Sequence, residues 1–585
     1  MTSSIVRENF YRSLQILNHL VFIGAKHFIL CPGSRSAPLA IAAGEFYKSG
    51  KLNLYNSIDE RSAGFHALGI ATASGEITVV ITTSGTAVAN LLPSAVEANK
   101  SCKTILYLTA DRPFRLKECG ANQTVNQEDF LISVCNPYLS TNLYGLHLSN
   151  DEEINNLLKK IAEKHFTSPG PIHLNVAFDK PLNISKEDKK DVIQIFHKDY
   201  LKKKLILSRF NSKESNLNIF LSGREKLNFS NTGIIIVGPY QGSSKDLLKF
   251  NNAIEEIQNI SGWPIFADPV SGLSSKIRGL VENWELIMAK SKNLIKCDQL
   301  LRLGPMSSSN YLEKFLESFT GQQFLVKEGD SRNLDPVGKS MQFECGIDQF
   351  KNALISEGII SELNQKPLIS LTTDLIEEGK RISNILKRQF LNSNKITETF
   401  LANQIPRIWP ETYPIMLSAS SPIRDWLTFS ENKTLSRRCF SFRGASGIDG
   451  TLSLALGITR IYNPLLLVTG DLAFLHDING LLIEKIHDLN IIILLIDNNG
   501  GNIFNKLYKD SLDIKEINKL FLMNKNVIWQ KLADSHKIPF LNVKNNEKLK
   551  EAFEWGLSMQ KSVIISIGID VQNQMQERSS LMNKI

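Results

Sequence analysis

Two short apolar runs near the C-terminal end, residues 465–468 (Leu-Leu-Leu-Val) and 491–496 (Ile-Ile-Ile-Leu-Leu-Ile), constrain the fold of this chain more than any other feature. Both are continuous and uncharged, the pattern of parallel strands covered on both faces by helices. Each empties into a polar loop: Thr469-Gly470-Asp471-Leu472 after the first, Asp497-Asn498-Asn499-Gly500-Gly501 after the second. Asn498 follows Asp471 by 27 positions. That spacing leaves room for one crossover helix, over about 478–489, and one strand, which makes a single βαβ unit with its two strand ends side by side. In open α/β sheets ligands bind at the carboxyl ends of strands. Here those ends offer an Asp carboxylate, an Asn amide and glycine backbone with little steric cover. Hard oxygen donors of this kind suit a magnesium ion that keeps a diphosphate as its remaining ligand. Taken singly, Gly-Asp after a strand caps a helix and Asn-Asn-Gly-Gly makes a turn. It is the spacing that makes one candidate site of the two loops.

Similar runs recur along the chain in three α/β segments. The first has them at 27–30, 52–56, 77–82, 104–108 and 172–176; the second at 233–237, 264–267, 299–303 and 324–327; the third at 415–418, 439–442, 465–468, 491–496 and 563–567. Charge rises over 186–190 and 199–204, which reads as a linker, and a polar, helical stretch over 370–405 leads into the third segment. Domains are therefore expected over 1–190, 205–365 and 370–585. A composition of 42% hydrophobic and 22% charged residues is that of a soluble globular protein. The net charge of +8 is spread along the chain, so small anionic ligands are expected and nucleic acid is not. Met1-Thr2-Ser3-Ser4-Ile5-Val6-Arg7 has no signal layout, and no apolar run reaches about 18 residues. The expected setting is cytoplasmic, without membrane insertion. Seven cysteines, widely spaced and with no Cys-x-x-Cys pair, indicate neither a disulfide framework nor a zinc site.

The first segment gathers polar groups at strand ends of its own. Cys31-Pro32-Gly33-Ser34-Arg35-Ser36 follows one strand, and Ser57-Ile58-Asp59-Glu60-Arg61 follows the next and opens a helix through His66 and Ala73. Thr83-Ser84-Gly85-Thr86 opens another helix, and Thr109-Ala110-Asp111-Arg112-Pro113 leads into Cys119-Gly120-Ala121-Asn122-Gln123-Thr124. The Gly-Asp-x of the third segment with its later Asn-Asn resembles the thiamine diphosphate signature. Gly-Ser-Arg-Ser at 33–36, Asp-Glu-Arg at 59–61, Thr-Ser-Gly-Thr at 83–86, Ala-Asp-Arg-Pro at 110–113 and Gly-Ala-Asn-Gln at 120–123 add to it. With Phe442-Arg443-Gly444-Ala445-Ser446-Gly447-Ile448-Asp449-Gly450 and Asn499-Gly500-Gly501-Asn502-Ile503-Phe504, they resemble, in family order, the 2-succinyl-5-enolpyruvyl-6-hydroxy-3-cyclohexene-1-carboxylate synthases of menaquinone and phylloquinone biosynthesis.

The resemblance implies three doubly wound parallel-sheet domains of thiamine-diphosphate-enzyme type. The implied reaction is decarboxylation of 2-oxoglutarate on thiamine diphosphate and addition of the four-carbon carbanion equivalent to isochorismate. By the same analogy Glu60 hydrogen-bonds the aminopyrimidine from an apolar pocket that raises its pKa. Ser84, Gly85, Ser420, Gly470, Leu472, Ile503 and Phe504 line the cofactor, with Ile503 as the wedge behind its bent conformation. Asp471, Asn498 and the Gly500 carbonyl hold magnesium, with manganese the alternative. The two substrates bring four carboxylates, which planar guanidinium groups pair bidentately. Arg35, Arg112, Arg424 and Arg443 fall to that role, with Ser34, Asn122, Gln123 and Ser420 as hydrogen-bonding partners. In the family the cofactor lies between the first segment of one subunit and the third of its partner, which implies a homodimer or a dimer of dimers.

Two departures stand out. Leu472 occupies a position that is glycine in many relatives, and Asn310 stands where many family members have lysine; Lys506 is one candidate to supply that cation. No histidine pair of the kind used by aldehyde-releasing relatives is present, which favours carboligation. Two other functions stay open: an acetolactate-synthase-like carboligase, and a nucleotide-binding regulator on the same sheets.

Overall fold

The structure is a computed structural model describing residues 2–202, 227–360, 364–391, 395–508, 511–523 and 526–585. The first sheet comprises β1 (His27–Leu30), β2 (Asn53–Asn56), β3 (Thr78–Thr82), β4 (Ile105–Asp111), β5 (Tyr138–Ser140) and β6 (Ile172–Ala177), in the order β2-β1-β3-β4-β6-β5. The second comprises β7 (Gly233–Val237), β8 (Ile265–Ala267), β9 (Gln299–Leu303), β10 (Gln322–Val326) and β11 (Ser340–Phe343), in the order β11-β10-β9-β7-β8. The third comprises β12 (Ile415–Leu417), β13 (Cys439–Ser441), β14 (Leu465–Gly470), β15 (Ile491–Asp497), β16 (Phe540–Val543) and β17 (Val563–Gly568), in the order β13-β12-β14-β15-β17-β16. All three are parallel throughout. Counted from its own first strand, the third sheet repeats the order of the first. The strand order reverses between β1 and β3 and again between β12 and β14, and open sheets of this kind bind ligands at such switch points.

Burial explains which strands are legible in the sequence. Every residue of β3 and β4 is buried, as are the first five of β14 and the first six of β15. The strands without an apolar run, β5, β11 and β16, are sheet edges and were not expected from the sequence. The crossover helix expected over 478–489 is not there. A one-and-a-half-turn helix, Asp471–His476, starts at the strand end itself, and two 3-10 turns, Ile478–Leu482 and Ile486–Asp488, complete the crossing. Buried Asp477 accounts for the break: its carboxylate accepts from Ser453 N at 2.6 Å and from the hydroxyls of Ser453 and Ser62, which pins the chain where a longer helix would run. The charged stretch from 186 is a helix, Lys186–Lys202, tied to the first helix by Arg7 on Asp188 at 2.5 Å. The expected boundary at 205 lies outside the described residues.

The first sheet belongs to a compact unit that takes in Arg443–Ile461 and Asp477–Ile486, and the other two sheets share a second unit. In the first unit the helix Glu60–Ser74 starts at an Asp59 N-cap, accepting from Arg61 N and Ser62 N, and ends at left-handed Gly75. It crosses the helix Thr451–Thr459 at a point where both chains carry glycine. A Cβ on Gly69 would lie 2.1 Å from Leu454 O, and one on Gly457 would lie 2.2 Å from His66 O. In the second unit one continuous apolar core runs from Ile234, Phe266 and Leu300 to Ile415, Leu466 and Ile492.

Candidate active site

In the first unit the loops after β1, β3 and β4 converge. Gly33 approaches Thr83 so closely that a Cβ would sit 2.4 Å from the threonine Cβ. Arg112 donates to Ser84 Oγ and, at 3.4 Å, to Gln123 Oε1, so its guanidinium bridges two strand-end loops. Gln123 in turn accepts from Ser84 Oγ at its backbone oxygen (3.2 Å) and donates to Ser84 O (3.3 Å), with φ of 59°. Gly85, at φ of 88°, donates to Gln127 Oε1 at 2.9 Å. Arg35 is buried and anchored on Phe178 O at 2.6 Å. Burial pulls its pKa down, the charge of Arg112 adds to that, and the carboxylates of Asp179 and Asp111 oppose it. Ser34 and Asn122 are exposed on the same loops.

Glu60 is the first residue of its helix and is half-buried. It lies close to the first loop: burial, followed by the charge of Glu60, pushes the Cys31 thiol up. The start of the helix is braced by Asn479 Nδ2 on Asp59 Oδ2 at 2.9 Å and by Ser62 on Asp477. Arg443 heads a loop that Glu97 holds. The Glu97 carboxylate accepts from Gly444 N (2.8 Å), Ala445 N (2.6 Å) and Ser446 N (3.0 Å).

In the second unit β14 and β15 pair with Gly470 opposite Ile496, so the two loops meet as their spacing requires. Asp471 is buried; its Oδ1 accepts from Leu472 N at 2.7 Å and its Oδ2 from Gly500 N at 2.9 Å. Asn498 donates from Nδ2 to Glu398 Oε1 at 2.7 Å, which leaves its Oδ1 buried without a hydrogen-bond partner among the described residues. The Gly500 carbonyl accepts from Met523 N at 3.0 Å, and its second lone pair remains for a ligand. A Cβ on Gly470 would meet nothing within 4 Å, an open cradle at the strand end. A carboxylate, an orphaned amide oxygen and a backbone carbonyl on adjoining loops are donors of the kind that suits a hard divalent cation. Ser420 takes a φ of 74°, unusual for a residue with a side chain, on the loop after β12; Ser418 N donates to Val468 O at 2.9 Å, placing that loop beside Gly470. Arg424 is exposed and reaches back to Ser420 O at 2.8 Å. Ile503 opens the helix Ile503–Tyr508, and Phe504 stacks on Phe521 with centroids 4.9 Å apart.

The sequence-derived candidates thus fall into two groups, one per unit. Ser84, Gly85, Arg112 and Gln123 meet directly in the first, and Asp471, Leu472 and Gly500 in the second, whereas Asn498 is bonded to Glu398 and Arg35 to Phe178 O. Asn310 is an exposed residue opening the helix Asn310–Ser318, and the Lys506 side chain lies outside the described residues. Three residues escaped the sequence reading: Glu97, Glu398 and Asp477. Each is a buried acid without a motif of its own, and each acts on residues 24 or more positions away.

Comparison with known proteins accords with this arrangement. A family described as thiamine pyrophosphate enzyme, N-terminal TPP binding domain, matches residues 14–130, and one described as thiamine pyrophosphate enzyme, C-terminal TPP binding domain, matches residues 427–567. The 2-succinyl-5-enolpyruvyl-6-hydroxy-3-cyclohexene-1-carboxylate synthase of Prochlorococcus marinus strain MIT 9515 is 61% identical over 100% of both chains. The protein of the same name from strain NATL2A is 44% identical over 97% of this chain and 95% of its own. That from strain NATL1A is 43% identical over the same shares, 97% and 95%. The chain belongs to the 2-succinyl-5-enolpyruvyl-6-hydroxy-3-cyclohexene-1-carboxylate synthase family, built on thiamine pyrophosphate enzyme domains.

Proposed function

We propose that this protein decarboxylates 2-oxoglutarate and joins the remaining four-carbon unit to isochorismate, giving 2-succinyl-5-enolpyruvyl-6-hydroxy-3-cyclohexene-1-carboxylate and CO2 in menaquinone or phylloquinone biosynthesis. The observation that carries the substrate assignment is the Arg112 guanidinium held between Ser84 Oγ and Gln123 Oε1, with buried Arg35 on the loop after β1 of the same sheet. Two guanidinium groups with hydroxyl and amide neighbours suit polycarboxylates, where pyruvate would need only one.

Thiamine diphosphate, when bound, supplies the electron sink that makes loss of CO2 from a 2-oxo acid feasible. Asp471, Asn498 Oδ1 and the Gly500 carbonyl would hold its magnesium, or manganese, with the diphosphate over the open backbone at Gly470 and Leu472. Ile503 and Phe504 would support the rings, Ser420 with Ser84 and Gly85 would line the pocket, and the Glu60 carboxyl would hydrogen-bond the aminopyrimidine. Arg35, Arg112 and Arg443 would orient the substrate carboxylates, with Ser34, Asn122 and Gln123 beside them and Arg424 near Ser420. On this reading residues 1–190 bind the pyrimidine, 370–585 the diphosphate and metal, and 205–365 form the domain between.

The active species is a homodimer or dimer of dimers in the cytoplasm, with Glu60 of one chain serving the Asp471 group of its partner. Support comes from the half-buried Glu60 and from Ile58 beside it, which is 75% exposed, an apolar side chain left for another surface to cover. No helix among the described residues is long and apolar enough to cross a membrane. The test is isochorismate consumption with 2-oxoglutarate, thiamine diphosphate and magnesium present or omitted one at a time. Loss of turnover with each omission is expected. Turnover of pyruvate in place of 2-oxoglutarate, or release of free succinic semialdehyde at full rate without isochorismate, overturns the reading.

A further inference from the structure

We propose that Glu398 is a positioning residue for the metal site, fixing the Asn498 amide so that Oδ1 and not Nδ2 faces the cation, and that the C-terminal helix Val571–Lys584 holds Glu398 in place. The inference rests on the proposed cofactor reading and extends it to residues that touch neither metal nor substrate.

An asparagine amide has two nearly isosteric ends, and only its oxygen can ligate a cation. Nothing in Asn498 itself selects one end. Glu398 does: its Oε1 accepts from the Asn498 NH2 at 2.7 Å, and the amide oxygen is turned the other way. That oxygen is the buried acceptor left without a partner beside Asp471, among the described residues. A buried orphan acceptor is unfavourable unless a ligand satisfies it, so the geometry is one that a bound cation completes.

Glu398 is itself over-determined. It is 7% exposed and opens the helix Glu398–Ile408, 100 positions from Asn498 in sequence. Its backbone N–H donates to Gln574 Oε1 at 2.7 Å, and the flanking Thr397 and Thr399 hydroxyls both donate to Glu577 Oε1, the latter at 2.5 Å. Arg578, one residue further along the same helix, pairs with buried Asp425 at 2.5 Å. Four polar contacts thus fasten one face of the C-terminal helix around a single glutamate. A cavity of about 540 Å³, lined by Glu398, Asp425, Gln574, Arg578 and Ile503, runs beside this network and reaches the cofactor wedge, so Glu398 does not merely fill space in a packed core.

The test is metal binding by the full chain at saturating thiamine diphosphate, with Mg2+ followed by calorimetry and Mn2+ by electron paramagnetic resonance, in wild type, Glu398→Ala and Glu398→Gln. Residues that orient metal ligands typically carry about 10- to 100-fold in affinity, so Glu398→Ala should raise the metal Kd by that factor while the apoprotein melts near the wild-type temperature. Glu398→Gln keeps the volume but can meet Asn498 with either end of its amide, so it should raise Kd by a smaller factor, roughly threefold or more. It also decides the question if the alanine variant does not fold. A metal Kd within about twofold of wild type in the folded variants, even with reduced turnover, overturns the proposal. Wild type that binds neither metal nor thiamine diphosphate overturns the cofactor reading and the inference together, whereas wild type and variants binding equally well overturn the inference alone.

Discussion

Glu97 shows how a residue without a motif can govern one that has it. One carboxylate accepts three consecutive backbone N–H groups directly after Arg443, in a loop where Ser446 already takes a φ of 62°. Hydrogen bonds to a charged group contribute about 1.5–3 kcal/mol each, so Glu97→Ala should release the loop and raise the KM for isochorismate about tenfold or more. Thiamine diphosphate affinity, measured separately by calorimetry, should stay within about twofold, because no cofactor group is touched. Equal losses in both would mean that Glu97 is a general structural support. Arg112 makes a companion case: its planar fork reaches Ser84 through one terminal nitrogen and Gln123 through the other, a fixed geometry that the single ammonium of a lysine does not reproduce. Arg112→Lys should lower kcat/KM about 10- to 100-fold, or about 1.4–2.7 kcal/mol, in steady-state assays despite the retained charge. Asp471 and Asn498 stand out in the sequence through the spacing of their loops, and Arg112 through the motif Ala-Asp-Arg-Pro that resembles the family's. Glu97 and Glu398 do not, because a glutamate in a helix looks solvated until the fold brings donors 347 and 100 positions away onto it.

Elements are legible to the extent that they are buried. The central strands announce themselves as apolar runs because helices cover both faces, whereas the edge strands β5, β11 and β16 pair on one side only and carry mixed residues. The crossover after Asp471 departs from expectation for a related reason: its apolar spacing suits a helix, but the buried Asp477 carboxylate takes its bonds from another helix and stops the turn. The crossing of Glu60–Ser74 with Thr451–Thr459 is invisible in the sequence because it depends on two glycines whose reason is steric. Gly69→Ala puts a methyl 2.1 Å from a backbone oxygen that cannot rotate away. It should destabilise the first unit by about 3 kcal/mol and weaken turnover through the displaced Glu60, read as a lowered melting temperature together with a lowered kcat. The strands of this unit also carry a pH dependence. Burial holds His27 on β1 at about 4 and His173 on β6 at about 3, against the ordinary 6.5. The unfolded chain therefore takes up protons that the folded chain refuses, so the stability involved is full above pH 6.5 and is lost as pH falls toward 4 and then 3. Thermal melts should drop by several degrees between about pH 7 and pH 5, and a flat profile would contradict these buried neutral imidazoles.

At the scale of the whole molecule, the first and third sheets have the same strand order, and on the proposed reading each carries one half of the chemistry. Arg35 and Ser84 follow the two strands that flank the switch point of the first sheet, with Arg112 reaching Ser84 from the loop after β4; Ser420 and Asp471 follow the two that flank the switch point of the third, with Asn498 on the loop after the neighbouring β15. Their common topology could not be read as a sequence repeat, since strand order follows from apolar runs and connection lengths, which many unrelated residues satisfy. On the proposed reading neither half suffices alone: the metal donors Asp471, Asn498 and Gly500 sit in one and Glu60 in the other. If the halves join across a two-fold axis, variants damaged in different halves should complement. Co-expressing Glu60→Gln with Asp471→Asn chains gives dimers of which about half are mixed; in each mixed dimer one site combines both lesions and the other combines intact Glu60 with intact Asp471, so activity should recover to about a quarter of wild type. Each variant expressed alone should remain inactive. If Glu60 and Asp471 instead served one another within a chain, every site would carry one lesion in any mixture and no activity would return, so the recovered rate of purified mixed dimers separates the two arrangements without reference to the substrate assignment.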